Sequence, residues 1–320
     1  MGDTVRGKSV LVTGGTGSFG RKFVEIALKA RPKRLVVYSR DEYKQHQMQR
    51  QFDHPAMRYF IGDVRDADRL RRAMHGIDVV VHAAALKQVP AIEYNPFEAV
   101  KTNIVGAENV INAAIDCRVP KVVALSSDKA VNPINMYGAT KLCADKMFVA
   151  GNSYAGAERT VFGVVRYGNV IGSRGSVVEV FKRLRENGTV PVTDERMTRF
   201  WITLEQGVRF VMAAIRDMRG GEIFVPKIPS MRILDLVKAV APGRKIRIIG
   251  IRPGEKLHEV LLTEDDASHT VEQPDRYVIL PEFFSARRPK GRKVPPQFRY
   301  SSDKNTSWLT VKELVRIVGD

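Results

Sequence analysis

"SVLVTGGTGSFG", residues 9–20, sets an aliphatic, β-branched run directly against a cluster of glycines. The run reads as a buried strand, and Gly14, Gly17 and Gly20 form a GxxGxxG pattern between it and a following helix. Gly14 and Gly17 permit a tight turn whose N–H groups approach a pyrophosphate at the helix N-terminus, and Gly20 lets helix and strand pack closely. Thr16, Ser18 and Phe19 complete this candidate dinucleotide loop. Any strand-to-helix turn can use glycines, so the pattern of the downstream chain decides the reading.

Downstream, the strand–helix unit repeats. "RLVVYS", "MRYFIGD", "DVVVHAAA" and "KVVALSS" are short β-branched runs, each trailed by a segment of helical period, with "TVFGVVRYGNV" at 160–170 as a sixth strand and "GEIFVP" at 221–226 as a seventh. The alternation predicts an α/β fold with a doubly wound, Rossmann-like parallel sheet. Residues 204–218 read as a helix on that sheet. The stretches 171–202 and 227–320 carry more Pro, Gly and Arg and lose the βα rhythm, so residues 1–170 and 203–226 are expected to form the dinucleotide domain and the rest a smaller substrate lobe beside it.

The chain of 320 residues is 44% hydrophobic and 27% charged, which suits a folded globular protein. No stretch reaches the ~18 to 20 apolar residues of a membrane span, and the first run lacks the form of a signal peptide. Cys117 and Cys143 have no paired spacing and the six histidines do not cluster, which fits a reduced cytoplasm and no structural metal; both cysteines are expected to be buried and inert. The net charge of +17 favours anionic partners without choosing among them. The densest basic run, "ARRPKGRK" at 286–293, contains Pro and Gly and reads as a solvated loop, and no nucleic-acid signature accompanies it.

At the second strand end, where an acidic residue would hold an NAD ribose, stand Ser39 and Arg40, with Lys44 a turn later. They form either a pocket for the 2′-phosphate of NADP or surface charges at a helix start. Asp63 and Val64 suit the adenine edge, and Ala83, Ala84, Ala85 and Lys87 follow the fourth strand.

"SSDKAVNPINMYGATK", residues 126–141, carries the chemistry. Tyr137 and Lys141 share a helix face, so the ammonium can favour the phenolate and make Tyr137 a base for a substrate hydroxyl. With the glycine loop and Ser127, this pattern resembles the short-chain dehydrogenase/reductase superfamily. Asp128 and Lys129 between them are either a loop ion pair or an acid and a base for eliminating water beside a transient ketone.

The last reading is sharpened by a closer resemblance. "SSDKAVNPINMYGATKLCADKMF", "YSRDEYKQ", "HAAALKQVP", "RYGNVIGSRGSVV", "RMTRFWIT", "GGEIFVPKIPSM" and "IRPGEKLHEVL" are similar to the inverting UDP-N-acetylglucosamine 4,6-dehydratases that begin pseudaminic acid synthesis. That family implies NADP, hydride removal at C4, loss of water across C5 and C6, hydride return to C6 and protonation of C5 from the opposite face, giving UDP-2-acetamido-2,6-dideoxy-β-L-arabino-hex-4-ulose without net redox. It implies catalytic roles for Ser127 (threonine in the family), Asp128, Lys129, Tyr137 and Lys141, and contacts to the nucleotide sugar by Lys87, Asn169, Ser176, Thr193, Arg199, Arg252 and Glu255. A cytoplasmic homo-oligomer, dimer or hexamer, is the implied assembly. The competing readings are a UDP-sugar 4-epimerase, which needs no elimination pair, and a dinucleotide-sensing or RNA-associated binding protein.

Overall fold

The computed structural model describes residues 4–156, 160–172, 177–184, 188–283 and 289–319. Strands β1 (Ser9–Thr13), β2 (Arg34–Ser39), β3 (Met57–Ile61), β4 (Val79–His82), β5 (Lys121–Ser127) and β6 (Val161–Tyr167) alternate with helices α1 (Ser18–Lys29), α2 (Glu42–Gln51), α3 (Ala67–Met74), α4 (Val89–Tyr94), α5 (Pro96–Ala99), α6 (Gly106–Asp116) and α7 (Met136–Tyr154). The six strands are parallel in the order β3-β2-β1-β4-β5-β6. β1 and β4 bury every residue, as a sheet covered on both faces requires. The order reverses between β1 and β4, and a crevice for a ligand opens at the carboxyl ends there.

The later chain adds β7 (Asn169–Ile171), α8 (Val177–Leu184), β8 (Val190–Val192), β9 (Thr198–Thr203), α9 (Leu204–Asp217), β10 (Ile223–Pro226), β11 (Ser230–Arg232), α10 (Ile233–Val240), β12 (Ile246–Ile248), β13 (Val260–Leu262), α11 (Glu264–Ala267), β14 (Thr270–Glu272), β15 (Arg276–Ile279), β16 (Arg292–Lys293), β17 (Tyr300–Ser301) and α12 (Val311–Val318). β10 extends the sheet parallel to β6, and β15, β14 and β16 then add antiparallel. Part of the 227–320 stretch therefore completes the main sheet. β7, β9 and β11 form a second sheet, with a separate core of Phe181, Trp201, Met231, Leu236 and Leu314 beside it.

The sixth run does not continue as one strand to residue 170. The chain leaves the sheet at Gly168, where a side chain would come within 2.5 Å of the Phe200 Cβ, and Asn169 pairs with Trp201 of β9 instead. This switch carries Asn169 from one sheet to the other. The cysteines also differ from expectation: Cys143 is exposed and Cys117 only partly buried, its Sγ donating to the Arg71 carbonyl at 3.3 Å. Cys143 lies on α7 and Cys117 ends α6, helices that each turn one side to solvent, and both residues fall toward it. No helix among the described residues is long and apolar enough to cross a membrane.

Candidate active site

The turn after β1 has the expected build. Gly14 takes φ +65°, and a Cβ there would meet the Ala84 backbone at 2.9 Å, so glycine lets the β1 and β4 ends approach. At Gly20 a Cβ would lie 2.4 Å from the Gly15 carbonyl oxygen. Gly17 caps α1 without a capping side chain, which leaves the helix terminus suited to an anion. Behind the turn, the buried Thr13 hydroxyl accepts from the Ala83 and Ala84 N–H groups and pairs with His82 Nδ1 at 2.9 Å. Burial, helped by Lys141, pushes His82 down to about 3.

A cavity of about 590 Å³ opens over these strand ends. It runs from Arg40 and Lys44, past Asp63, Val64, Ala83, Ala84, Ala85 and the Gly14–Gly20 turn, to Lys87, Ser127, Asp128, Lys129, Tyr137, Lys141 and Asn169. These residues and the open α1 terminus fit a dinucleotide. At the β2 end, Ser39 Oγ accepts from Thr16 Oγ1 at 3.2 Å and from Gln45 Nε2 at 3.1 Å. The Asp41 carboxylate caps α2 through the Lys44 N–H and pairs with the Lys44 ammonium. Lys44 is thus held by Asp41, while Arg40, half-exposed, lies 3.4 Å from Asp63.

Asn135 caps α7 through Gly138 N–H at 2.8 Å and donates to the Gly254 carbonyl at 2.8 Å. This fixes the helix that presents Tyr137 and Lys141. A π-helical turn, Val100–Val105, brings Asn103 against the loop after β4: it bonds both backbone groups of Leu86 and reaches Thr140 Oγ1 at 3.0 Å. Asn103 lies beyond any local motif, and its placement in a π turn has no sequence signal.

Ser127 ends β5 and donates to Asp128 Oδ1 at 2.7 Å, while its oxygen accepts from the Lys129 N–H at 3.2 Å. Lys129 Nζ lies 3.1 Å from the same Asp128 oxygen and 3.4 Å from Glu259 Oε1. Asp128 is 1% exposed, and its Oδ2 has no hydrogen-bond partner. Burial, reinforced by Glu259 and opposed by Lys129, pushes the Asp128 carboxyl up. Burial disfavours the Lys129 charge, but Asp128 and Glu259 overcome it and hold the ammonium above its usual range. Glu259 thus adds a second carboxylate to the one that the chain neighbour Asp128 offers Lys129. Tyr137 is pushed up to about 12 by burial, with Lys129 pulling the other way. Lys141 donates to the Leu125 carbonyl at 2.6 Å, and burial lowers its pKa against the pull of Asp145.

Of the residues expected on the nucleotide sugar, Lys87 and Asn169 line the cavity. Arg199, Arg252 and Glu255 lie outside its lining, and Arg199 is joined to it through Glu259, 3.6 Å from Arg199 and 3.4 Å from Lys129. Arg199 is buried and donates to the carbonyls of Thr198 (2.7 Å), Leu257 (3.0 Å) and Lys256 (2.8 Å), so it clamps the 255–259 segment to β9. Glu255 lies 3.7 Å from Arg199 and 4.0 Å from the exposed Arg252. Thr193 is buried just beyond β8, and Ser176 lies outside the described residues.

Residues 10–281 match the family model described as "Polysaccharide biosynthesis protein". The chain is 53% identical to the UDP-N-acetylglucosamine 4,6-dehydratase (inverting) of Campylobacter jejuni subsp. jejuni serotype O:2, over 97% of each chain. It is 42% identical to the UDP-glucose 4-epimerase of Rickettsia canadensis, over 85% of this chain and 82% of that one. Among solved structures, Pen from Bacillus thuringiensis matches with TM-score 0.90 and 40% identity over 98% of this chain and 99% of that one. The fold also matches DesIV, a dTDP-glucose 4,6-dehydratase from Streptomyces venezuelae with NAD and TYD bound, at TM-score 0.70 and 22% identity, over 78% and 86%.

Proposed function

The chain belongs to the polysaccharide biosynthesis protein family, and on that premise we propose that it removes water from UDP-N-acetylglucosamine, inverting C5, to give UDP-2-acetamido-2,6-dideoxy-β-L-arabino-hex-4-ulose. The observation that carries this reading is the ion pair of buried Asp128 and part-exposed Lys129 in the same cavity as Tyr137, with Asp128 Oδ2 unpartnered.

The Gly14–Gly20 turn, Ser39, Arg40 and Lys141 would hold a nicotinamide dinucleotide, which would supply reversible hydride transfer between the cofactor and C4 and C6 of the sugar. Tyr137, as phenolate, takes the C4 hydroxyl proton, and the Lys141 ammonium one turn along the same helix favours that form. Once C4 is a ketone the C5 hydrogen is acidic. The Asp128–Lys129 pair shares one mobile proton across 3.1 Å, and with that proton on Asp128 the neutral Lys129 amine takes the C5 hydrogen while Asp128 gives its proton to the C6 hydroxyl, which leaves as water. Lys129 then returns one proton to Asp128 across 3.1 Å, and the pair is reset. Tyr137 delivers the C4 proton to C5 from the other face and regains its starting form. Atoms balance to the loss of one water.

The cofactor is NADP: Arg40 stands where an NAD site places a carboxylate, and the nearby Asp41 carboxylate is already taken by Lys44. Lys87, Asn169, Ser176, Thr193, Arg199, Arg252 and Glu255 hold the nucleotide sugar. Residues 1–170 with 203–226 carry the cofactor and lend Lys87 and Asn169 to the sugar, and 171–202 with 227–320 supply the rest of the sugar site, apart from β14, β15 and β16, which complete the main sheet. The protein works in the cytoplasm as a homo-oligomer, a dimer or hexamer. Its product feeds a surface glycan such as pseudaminic acid.

The similarity to UDP-glucose 4-epimerases makes epimerisation the rival reading. Epimerisation gives no use to a buried acid aimed at a leaving hydroxyl. Mass spectrometry after incubation with UDP-N-acetylglucosamine separates the two: loss of one water supports dehydration, and a product of unchanged mass with C4 inverted supports epimerisation.

A further inference from the structure

Lys129 lies between two carboxylates, one from its chain neighbour and one from a residue 130 positions away. Taking the dehydratase reading above as its basis, the geometry points to Glu259 as a positioning residue that fixes the Lys129 amino group and sets the pH range in which the Asp128–Lys129 pair works. Glu259 is 2% exposed, and its backbone is locked to Ser302, whose N–H donates to the Glu259 carbonyl at 2.8 Å and whose hydroxyl accepts from the Glu259 N–H at 2.9 Å. The backbone that carries the carboxylate is therefore fixed, and Lys129 extends to Glu259 Oε1 at 3.4 Å.

The charges around Glu259 come from each element packed there. The turn after β5 contributes Lys129 at 3.4 Å and Asp128 behind it, β9 contributes Arg199 at 3.6 Å, and its own segment contributes Lys256 at 4.0 Å with Glu255 beyond Arg199. Tyr137 from α7 and Lys87 from the loop after β4 lie further along the same cavity. Three cations favour the ionised Glu259, and burial is overcome, so its pKa falls below the usual range. Asp128, with Lys129 as its close cation and the Glu259 charge working with burial against ionisation, goes the other way. Two carboxylates pushed apart in this manner divide their roles: Glu259 keeps a permanent charge and Asp128 holds the mobile proton.

The charge of Glu259 raises the affinity of both its neighbours for protons. Removing it makes Lys129 neutral at lower pH and also makes Asp128 lose its proton at lower pH. Both limbs of the bell-shaped rate profile then move the same way.

The test measures kcat for UDP-N-acetylglucosamine dehydration against pH in the full-length enzyme. Glu259→Gln is expected to move both limbs to lower pH by about 1 unit or more. Glu259→Asp, which keeps the charge on a shorter arm, is expected to turn over more slowly with its limbs where the wild type has them. Lys256→Met removes a cation from Glu259 and is expected to move the limbs to higher pH; should Glu259→Gln not fold, this variant decides. Limbs that stay in place in the folded variants, whatever the fall in rate, would reduce Glu259 to a packing role and overturn the inference. A wild-type enzyme that releases no water from this substrate would instead overturn the dehydratase reading itself.

Discussion

Gly138 faces the Lys129 carbonyl so closely that a Cβ on it would sit 2.1 Å from that oxygen. The contact seats the first turn of α7 on the Asp128–Ala130 turn and holds Tyr137 beside the elimination pair. Gly138→Ala must push helix and turn apart. Overpacking of this kind costs about 1–3 kcal/mol, and misplacing reacting groups by an ångström can cost about 100-fold in rate. Urea unfolding and turnover should show both losses, with turnover falling further than the lost stability explains.

Asp128→Asn keeps the shape of the side chain and removes its acid proton. Loss of general-acid catalysis should lower the rate of water release by about 100- to 10,000-fold. UDP binding, measured by calorimetry, should stay within a few-fold of wild type, because Asp128 addresses the C6 hydroxyl.

Arg40→Ala should weaken NADP by ~1.5 to 3 kcal/mol through a lost charged hydrogen bond and leave NAD nearly unchanged. Parallel titrations with the two dinucleotides check this, and equal losses would remove Arg40 from the 2′-phosphate.

His82 is neutral in the fold because burial holds its pKa near 3, against an ordinary value of 6.5. A base whose folded pKa is depressed binds fewer protons folded than unfolded between those values. Its contribution to stability is therefore present above about pH 6.5 and is lost as pH falls toward 3. Between pH 7 and pH 5 this amounts to about 2 kcal/mol. Urea unfolding of wild type and His82→Asn at both pH values should show a smaller acid loss in the variant.

Much of the fold and site was legible in the chain because the relevant physics is local. Strands buried on both faces must be runs of Val, Leu and Ile, and a turn that brings Gly14 onto Ala84 must be glycine. Ser127, Asp128, Lys129, Tyr137 and Lys141 come from one short segment, so spacing alone brings them together. Glu259 has no such signal, because its partner Lys129 is 130 residues away and "LHEV" carries no mark of a buried charge. The Gly168 break is hidden for a similar reason: its cause is Phe200 on a different sheet. β14, β15 and β16 are too short for a period-2 pattern, so their return to the main sheet has no local signature.

The most direct test of inverting dehydration is an NMR reading of the early product formed from UDP-N-acetylglucosamine in deuterated water. The expected product is the 4-keto-6-deoxy sugar of L-arabino configuration with solvent deuterium at C5, since Lys129 removes one proton and a different group on the opposite face delivers another. An early product of D-xylo configuration, or recovery of a hexose that has lost no water, would contradict it.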